Sequence, residues 1–341
     1  MKQYNVAIVG ATGMVGHEFI KVLEQRRFPA LSVRLLASDR SAGKKMRVLN
    51  REVTVEETAT ASFQGVDIAL FSAGADQSRL YAPKAAQAGA VVVDNSAAWR
   101  MDPTVPLVVP EVNVDDIKTH KGIIANPNCS TIQMVVALYP LHKVNPIKRI
   151  VVTTYQSVSG TGLAALDELA TQSRQVLDGQ TTKPAVYPHQ IAFDVLPEID
   201  VFLDNGYTKE EWKMVEETHK IMHAPQIAVS ATCARVPVFI GHSESVNVEF
   251  SQPITPEEAR RILSRAPGVS VIDDPATHAY PRATIAAGTD LTYVGRVRRD
   301  VSCPNGLVFW VVADNIRKGA ALNAVQIAEE MINRGWLNGS K

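Results

Sequence analysis

The sequence predicts an α/β protein in two parts: a parallel-sheet domain over residues 1–128, then an α+β domain with a mixed sheet over residues 129–314. Three observations carry this. Short apolar runs alternate with helical patterns through the first third of the chain, the pattern of βαβ units. A glycine-rich turn, Gly10-Ala-Thr-Gly13-Met-Val-Gly16, joins the first apolar run to the first helix. After Asn128 strand-like runs come with fewer helices between them, which favours antiparallel or mixed pairing.

In chain order, residues 4–9 (YNVAIV) read as a strand ended by Gly10. Residues 17–25 place Phe19, Ile20 and Leu23 on one helical face. Strands follow at 33–37, 68–71, 91–94 and 122–125, with a helix at 77–88 that contains Pro83. Beyond Asn128 the pattern gives an apolar helix at 131–141 and a strand at 150–156. A stretch punctuated by Gly and Pro runs from 157 to 205, with one helix near 163–177. Helices at 209–222 and 256–265 accompany strands at 227–232, 246–250, 291–297 and 307–312. A last amphipathic helix at 320–334, within a C-terminal segment 315–341, is expected to pack back on the first domain.

Composition bounds the partners. Thirty-five Lys plus Arg balance thirty-five Asp plus Glu, and 46% of the residues are hydrophobic. That excludes a nucleic-acid binder read from bulk charge and a highly charged disordered chain. The three cysteines, Cys129, Cys233 and Cys303, are far apart and form no CxxC pair, so neither a disulfide framework nor a cysteine zinc site is expected. The N-terminus reaches glycine too early for a signal peptide, and the longest uncharged stretch, 122–142, is broken by Asn126, Pro127, Asn128 and Ser130. The expectation is a reduced, cytoplasmic protein with no membrane span.

The glycine turn follows a strand and opens a helix, the context that gives such a turn meaning. Glycines let the backbone close on a pyrophosphate, and the helix start offers unpaired N–H groups to it. The spacing is GxxGxxG, a variant of the Rossmann dinucleotide fingerprint; the plain alternative is a strand-to-helix turn. After the second strand, Ser38-Asp39-Arg40-Ser41 contains both an acid suited to a ribose 2′-OH and an arginine suited to a 2′-phosphate. Arg40, its flanking hydroxyls and the following Lys44 and Lys45 favour NADP; Asp39 is the opposing signal.

Asn126-Pro127-Asn128-Cys129-Ser130-Thr131 lies between a strand and an apolar helix. A thiol at a helix N-terminus gains thiolate character, and the same amides can hold an oxyanion. Cys233, in a strand-like run, reads as a small buried hydrophobe, and Cys303 as a turn residue. A cysteine nucleophile needs a partner base, and spacing alone does not choose among eight histidines. His219 and His223 stand four apart on a helix, but HKIMH lacks the glutamate of HExxH and a third ligand, so a solvated helix face is the better reading. His242, in Ile-Gly-His-Ser-Glu-Ser, is read as a loop residue beside a strand.

The ordered set GATGMVG, LASDRSAGK, DNSAAWRMD, NPNCST, YQSVSGTG, EETHKIM, ARVPVFIGHSE and DNIRKGAALNAVQIAE resembles the aspartate-β-semialdehyde dehydrogenase family from Val6 to about Glu330. N-acetyl-γ-glutamyl-phosphate reductases, the alternative, share the two-domain plan but lack Asn-Cys-Ser-Thr; glyceraldehyde-3-phosphate dehydrogenases carry a Ser-Cys-Thr-Thr-Asn type of signature. The resemblance implies NADPH-dependent reductive dephosphorylation of L-aspartyl-4-phosphate, on the route to lysine, threonine and methionine, by a homodimer or homotetramer. It makes Cys129 the nucleophile, His242 the general acid/base and Gln156 the residue that orients the acyl intermediate. It assigns Arg100, Lys220 and Asn128 to the phosphate, and Glu217 and Arg235 to the substrate's amino and carboxylate groups. It lays the cofactor on Gly10, Thr12, Gly13, Met14, Val15, Ser38, Arg40 and Ser41, with Ser159, Gly160 and Asn315 near the nicotinamide, and calls for no metal. Lys220 follows Glu217 by three residues, so both project from one helical face; the plain alternative is a surface ion pair.

Overall fold

The computed structural model describes residues 2–337; Met1 and residues 338–341, at the two ends of the expected domains, lie outside the described residues. The chain divides into two compact units, residues 1–128 with 320–341, and residues 129–319.

The first unit begins β1 (Tyr4–Val9), α1 (Met14–Gln25), β2 (Ala30–Ala37), β3 (Lys45–Val48) and β4 (Arg51–Glu57). It continues β5 (Ile68–Phe71), α2 (Ala75–Gln87), β6 (Val91–Asp94), α3 (Pro110–Asn113) and β7 (Ile123–Ala125). The sheet order is β3-β4-β2-β1-β5-β6-β7, parallel except for the β3–β4 pair. Strand alternation explains why the runs are apolar throughout. Val6 and Ile8 of β1 face a core that includes Phe19 and Leu23 of α1, while Ala7 and Val9 face Tyr81, Ala82 and Ala85 of α2. Strand β1 pairs with β2 on one side and β5 on the other, so the winding reverses beside β1, where parallel sheets open a crevice at their strand ends.

The second unit comprises α4 (Cys129–Val144), β8 (Ile147–Gln156), α5 (Leu163–Leu177), α6 (Lys209–Met222), β9 (Ala228–Arg235) and β10 (His242–Phe250). It ends with α7 (Pro256–Leu263), β11 (Val269–Val271), α8 (Ala283–Ala286), β12 (Thr292–Arg299) and β13 (Gly306–Ala313). Its sheet order is β11-β12-β13-β10-β8-β9, with β8–β9 and β11–β12 parallel and the other pairs antiparallel. The mixed sheet is as the sequence predicts. Helix α4 packs on β8, β10, β12 and β13, and α6 on α4 and β9. Its mainly apolar surface, with Ile132, Met134, Val135, Val136, Leu138 and Leu141 buried, suits a helix enclosed on several sides. A wide π-type turn at Arg317–Ala321 follows β13, and α9 (Leu322–Arg334) then completes the first unit by packing on α1 and α3.

Two expectations change. The β3–β4 hairpin has no counterpart in the sequence reading. His242 is the first residue of β10 rather than a loop residue, because the polar run His-Ser-Glu-Ser pairs with β8 and β13.

Candidate active site

In the first unit the glycine turn closes tightly. Gly10 has φ +87°, and a Cβ there would lie 2.2 Å from the Ser72 carbonyl oxygen at the end of β5. A Cβ on Gly16 would lie 2.3 Å from the Gly10 carbonyl oxygen, so the first turn of α1 sits directly on the loop. Gly13 caps α1 without a side-chain hydrogen bond, which leaves the helix-start amides for a ligand. A cavity of about 550 Å³ opens over this turn, lined by Gly10, Thr12 and Gly13, by Ser38, Asp39 and Arg40 after β2, and by Ser72 and Ala73 after β5. The cradle and its free amides fit a dinucleotide. Met14 and Val15 open α1, and Val15 turns its side chain to the core, so only its main chain is available to a ligand. Thr12 Oγ1 donates to Ser41 Oγ at 3.3 Å, tying the turn to the loop after β2. There Asp39 accepts from the Arg40 main-chain N–H at 2.8 Å, whereas the exposed Arg40 side chain forms no ion pair among the described residues.

Arg100 is buried at the far end of the same sheet. Its Nε donates to the Asn126 carbonyl at 3.0 Å and its Nη2 to the Asn95 carbonyl at 2.8 Å. Burial pushes the nearby Asp94 carboxyl above its ordinary range, opposed by hydrogen bonding from Ser96 and Ser78 and by the Arg100 charge. Asn128, also buried, ends the first of this unit's two segments.

The second unit assembles the other predicted residues through strand register. Gln156 on β8 pairs with Arg235 on β9. Ser243 pairs with Tyr155, so the antiparallel register brings His242 opposite Gln156. Arg235, Gln156 and His242 therefore stand side by side at the ends of three adjacent strands, all on the face that carries α4 and α6. Gln156 Nε2 donates to Glu210 Oε1 at 3.2 Å and to Thr154 Oγ1 at 3.4 Å, which turns its Oε1 away from them. Arg235 Nη1 donates to the Ser157 carbonyl at 2.8 Å, and its guanidinium lies 5.9 Å from the Tyr187 ring centre.

His242 is fully buried, and its tautomer follows from its neighbours. The Ser157 main-chain N–H donates to Nδ1 at 3.0 Å, so Nδ1 is an acceptor and the proton of the neutral ring sits on Nε2. One donor order satisfies the network behind it: the Gly241 N–H and Ser157 Oγ donate to Asn315 Oδ1, Asn315 Nδ2 donates to Ser159 Oγ, and Ser159 Oγ donates to Ser157 Oγ. Burial, then the Arg235 charge, holds the His242 imidazole well below its usual range, so the ring is neutral. Nε2 is buried without a partner among the described residues, and a Cβ on Gly160 would stand 3.4 Å from it and 3.0 Å from Arg235 Nη1. Gly160 thus leaves one edge of that N–H clear of side chain. The Asn315 side chain is occupied by Ser157, Ser159 and Gly241, so it shapes the site from behind.

Cys129, half-buried, is the first residue of α4. A Cβ on Gly319 would come 2.8 Å from Cys129 Cβ, so the turn after β13 can pack against Cys129 only because residue 319 is glycine. Gln133, one turn further along α4, donates to the His242 carbonyl at 3.4 Å and links this helix to β10. Glu217 and Lys220 share a face of α6, the glutamate 1% exposed and the lysine half-buried. A Thr208–Glu211 capping box fixes the start of that helix, and Glu211 also accepts from the Cys233 main-chain N–H at 2.9 Å. Burial, with Glu210 nearby, pushes the Cys233 thiol up, which leaves it unreactive. His219 Nε2 bonds the Ile227 carbonyl at 2.7 Å and His223 ends the helix in a left-handed conformation, both structural duties.

Residues 5–120 match the family described as semialdehyde dehydrogenase, NAD binding domain, and residues 138–318 match semialdehyde dehydrogenase, dimerisation domain. The chain is 57% identical over 338 residues to the aspartate-semialdehyde dehydrogenase of Aquifex aeolicus, covering 98% of this chain and 99% of that one. The chain belongs to the aspartate-semialdehyde dehydrogenase family. It is thus an oxidoreductase of amino-acid biosynthesis with a Rossmann-type dinucleotide-binding domain. The crystal structure of aspartate semialdehyde dehydrogenase II complexed with ASA from Vibrio cholerae superposes with a TM-score of 0.96 at 50% identity, covering 98% of this chain and 99% of that one. The Candida albicans aspartate semialdehyde dehydrogenase with NADP gives a TM-score of 0.78 at 25% identity, covering 98% and 100%.

Within this family member, Ser157, Glu210, Gln133 and Gly319 surround the motif residues and escape the sequence reading. Ser157 lies inside YQSVSG, between Gln156 and Ser159, and Gly319 inside DNIRKG, and these motifs are the available hints. The others meet the site only through tertiary packing. Among the described residues no group of three or more His, Cys, Asp or Glu is placed to hold a metal, and no helix is long and apolar enough to cross a membrane.

Proposed function

We propose that this protein converts L-aspartyl-4-phosphate to L-aspartate-4-semialdehyde and phosphate with NADPH, through a thioester on Cys129, in lysine, threonine and methionine biosynthesis. The observation that carries this is the unpartnered Nε2–H of His242, set in one row with Gln156 and Arg235 in the unit whose first helix begins at Cys129. The names of the relatives point the same way: the Vibrio cholerae protein is complexed with ASA and the Candida albicans protein with NADP.

The helix-start amides of α4 favour the Cys129 thiolate. Its sulfur attacks the acyl carbon, the carbonyl pair moves to oxygen, and the carbon–oxygen bond to phosphate breaks as the oxyanion collapses, leaving a thioester. Bound over the glycine turn, NADPH supplies the hydride that reduces the thioester. The resulting hemithioacetal oxyanion re-forms its carbonyl and expels the Cys129 thiolate; the one proton that the overall reduction consumes comes from solvent and ends on the departed phosphate. His242 stabilises the oxyanion in both steps by donating a hydrogen bond from Nε2, the role open to a neutral imidazole whose other nitrogen is an acceptor. This refines the acid/base role expected from the resemblance, since a neutral ring gives up its proton only at high cost. Gln156 presents Oε1 to the acyl group. Arg235 grips the substrate carboxylate bidentately and Glu217 receives its ammonium. Arg100, Asn128 and Lys220 hold the phosphate. Arg40 binds the 2′-phosphate, which makes NADP the cofactor. The enzyme works in the cytoplasm as a homodimer or a homotetramer.

The reverse reaction tests this. Wild-type protein with NADP, phosphate and aspartate semialdehyde is expected to form NADPH, and Cys129→Ala to abolish it. No signal from wild type, or undiminished turnover in the variant, contradicts the proposal.

A further inference from the structure

A tyrosine ring beside Arg235 has no part in the chemistry above, and the strap that carries it is built with care. Residues 181–190 (TTKPAVYPHQ), between α5 and α6, form no helix or strand, and within 183–189 every residue but the half-buried Tyr187 is exposed. Apolar burial therefore does little to hold the strap. Hydrogen bonds hold it instead. Glu168 and Gln172, four apart on α5 and both buried, accept from its main chain: Glu168 Oε2 from Ala185 at 3.3 Å and from Val186, and Gln172 Oε1 from Ile191 at 2.9 Å and Ala192 at 3.3 Å. Gln172 Nε2 donates to Glu168 Oε1 at 2.9 Å, which fixes the two acceptors to each other. Just beyond, Leu196 exchanges both main-chain hydrogen bonds with Arg235 itself, at 2.9 and 2.8 Å. Pro188 disfavours a helical backbone at Tyr187. The tyrosine turns inward, packs on the cluster of Val158, Leu169 and Ile191, and donates its hydroxyl to Thr161 Oγ1 at 2.9 Å.

The Arg235 guanidinium lies over this ring, its central carbon 5.9 Å from the ring centre. Its Nη1 donates to the Ser157 carbonyl at 2.8 Å, and its Nε is buried with no partner among the described residues. A single hydrogen bond fixes where a planar group stands but lets its plane tilt about that bond. An aromatic ring against the face removes the tilt and adds a cation–π attraction, while the Nε edge stays open to a carboxylate. We propose that Tyr187 is a positioning residue: held by the strap and by Thr161, its ring fixes the plane of the Arg235 guanidinium and so sets the grip on the substrate's carboxylate. The kinetic side of this inference rests on the proposed function; the hold of the ring on Arg235 does not.

The test joins crystallography to kinetics. In ligand-free crystals, Arg235 should keep its wild-type conformation in Tyr187→Phe, which retains the ring, and should shift or split into alternate conformers in Tyr187→Leu. In NADPH formation, Tyr187→Leu should raise KM for aspartate semialdehyde roughly tenfold, with kcat and the KM values for phosphate and NADP changed less than about threefold. Tyr187→Phe should recover most of that loss, with KM for the aldehyde within about threefold of wild type. An unmoved Arg235 in Tyr187→Leu, or an aldehyde KM there equal to that of wild type, overturns the proposal. Equal rises in all three KM values also overturn it, because a merely loosened fold would weaken every ligand alike. A wild-type protein without turnover would sink the functional reading and the kinetic claim together, while the crystal structures would still show whether the ring fixes Arg235.

Discussion

His242 owes its role to one main-chain donor. Because the Ser157 N–H points at Nδ1, the ring carries its proton on Nε2 and resists a second one. Its folded-state affinity for a proton lies well below the ordinary value of 6.5. The unfolded chain therefore takes up a proton below that pH while the folded chain does not. Stability from this group is intact above 6.5 and declines as pH falls, by at most about 1.4 kcal/mol per pH unit. His142, also held low by burial, adds a decline of the same sign, so the informative quantity is a difference. Urea midpoints measured from neutral pH down to mildly acid pH should fall less steeply in His242→Gln than in wild type; parallel slopes would contradict the buried neutral ring. At this scale the motif residues were readable because their types carry chemistry. Ser157 and Gln133 were not, since a serine or glutamine declares a partner only once the fold supplies one.

Among the elements, the strands that the sequence reveals are those buried on both faces: β1, β5 and β6 are apolar almost without interruption. The β3–β4 hairpin is harder to see because its short strands, KMRV and REVTVEE, carry only a period-two alternation, with Met46, Val48, Val53 and Val55 packed on the core between charged residues. The beginning of β10 stays hidden for another reason. Its polar residues are buried to serve the site, and buried polarity looks like a loop in sequence. The register that aligns Arg235, Gln156 and His242 joins three strands distant along the chain, and nothing local encodes it. The loop after β2 combines both kinds of signal. Asp39 is engaged with the Arg40 main chain, while the Arg40 side chain extends from the cavity rim without an ion pair among the described residues. Arg40→Ala should weaken NADP binding by roughly ten- to a hundredfold, the worth of a hydrogen bond to a charged group, and NAD binding far less. Calorimetric titration with both dinucleotides reads this directly, and equal losses would return the cofactor preference to Asp39.

For the whole molecule, a formal charge of zero leaves no general attraction for anions. The proposed ligands are a phosphorylated amino acid, phosphate and NADPH, so their binding must come from local basic groups: Arg40, Arg100, Lys220 and Arg235. The two-part architecture was legible because each half has its own grammar, βαβ alternation before Asn128 and a mixed sheet after it. The central claim is covalent: the acyl group passes through Cys129. The direct measurement is mass spectrometry of wild-type protein quenched after mixing with aspartate semialdehyde and NADP in the absence of phosphate, where the aldehyde is oxidised and the thioester cannot be phosphorolysed. The account predicts a hydroxylamine-sensitive aspartyl adduct on the Cys129 peptide, appearing together with NADPH and discharged by added phosphate. NADPH formed in a burst with no adduct on Cys129, or an adduct on Cys233 or Cys303 instead, would contradict it.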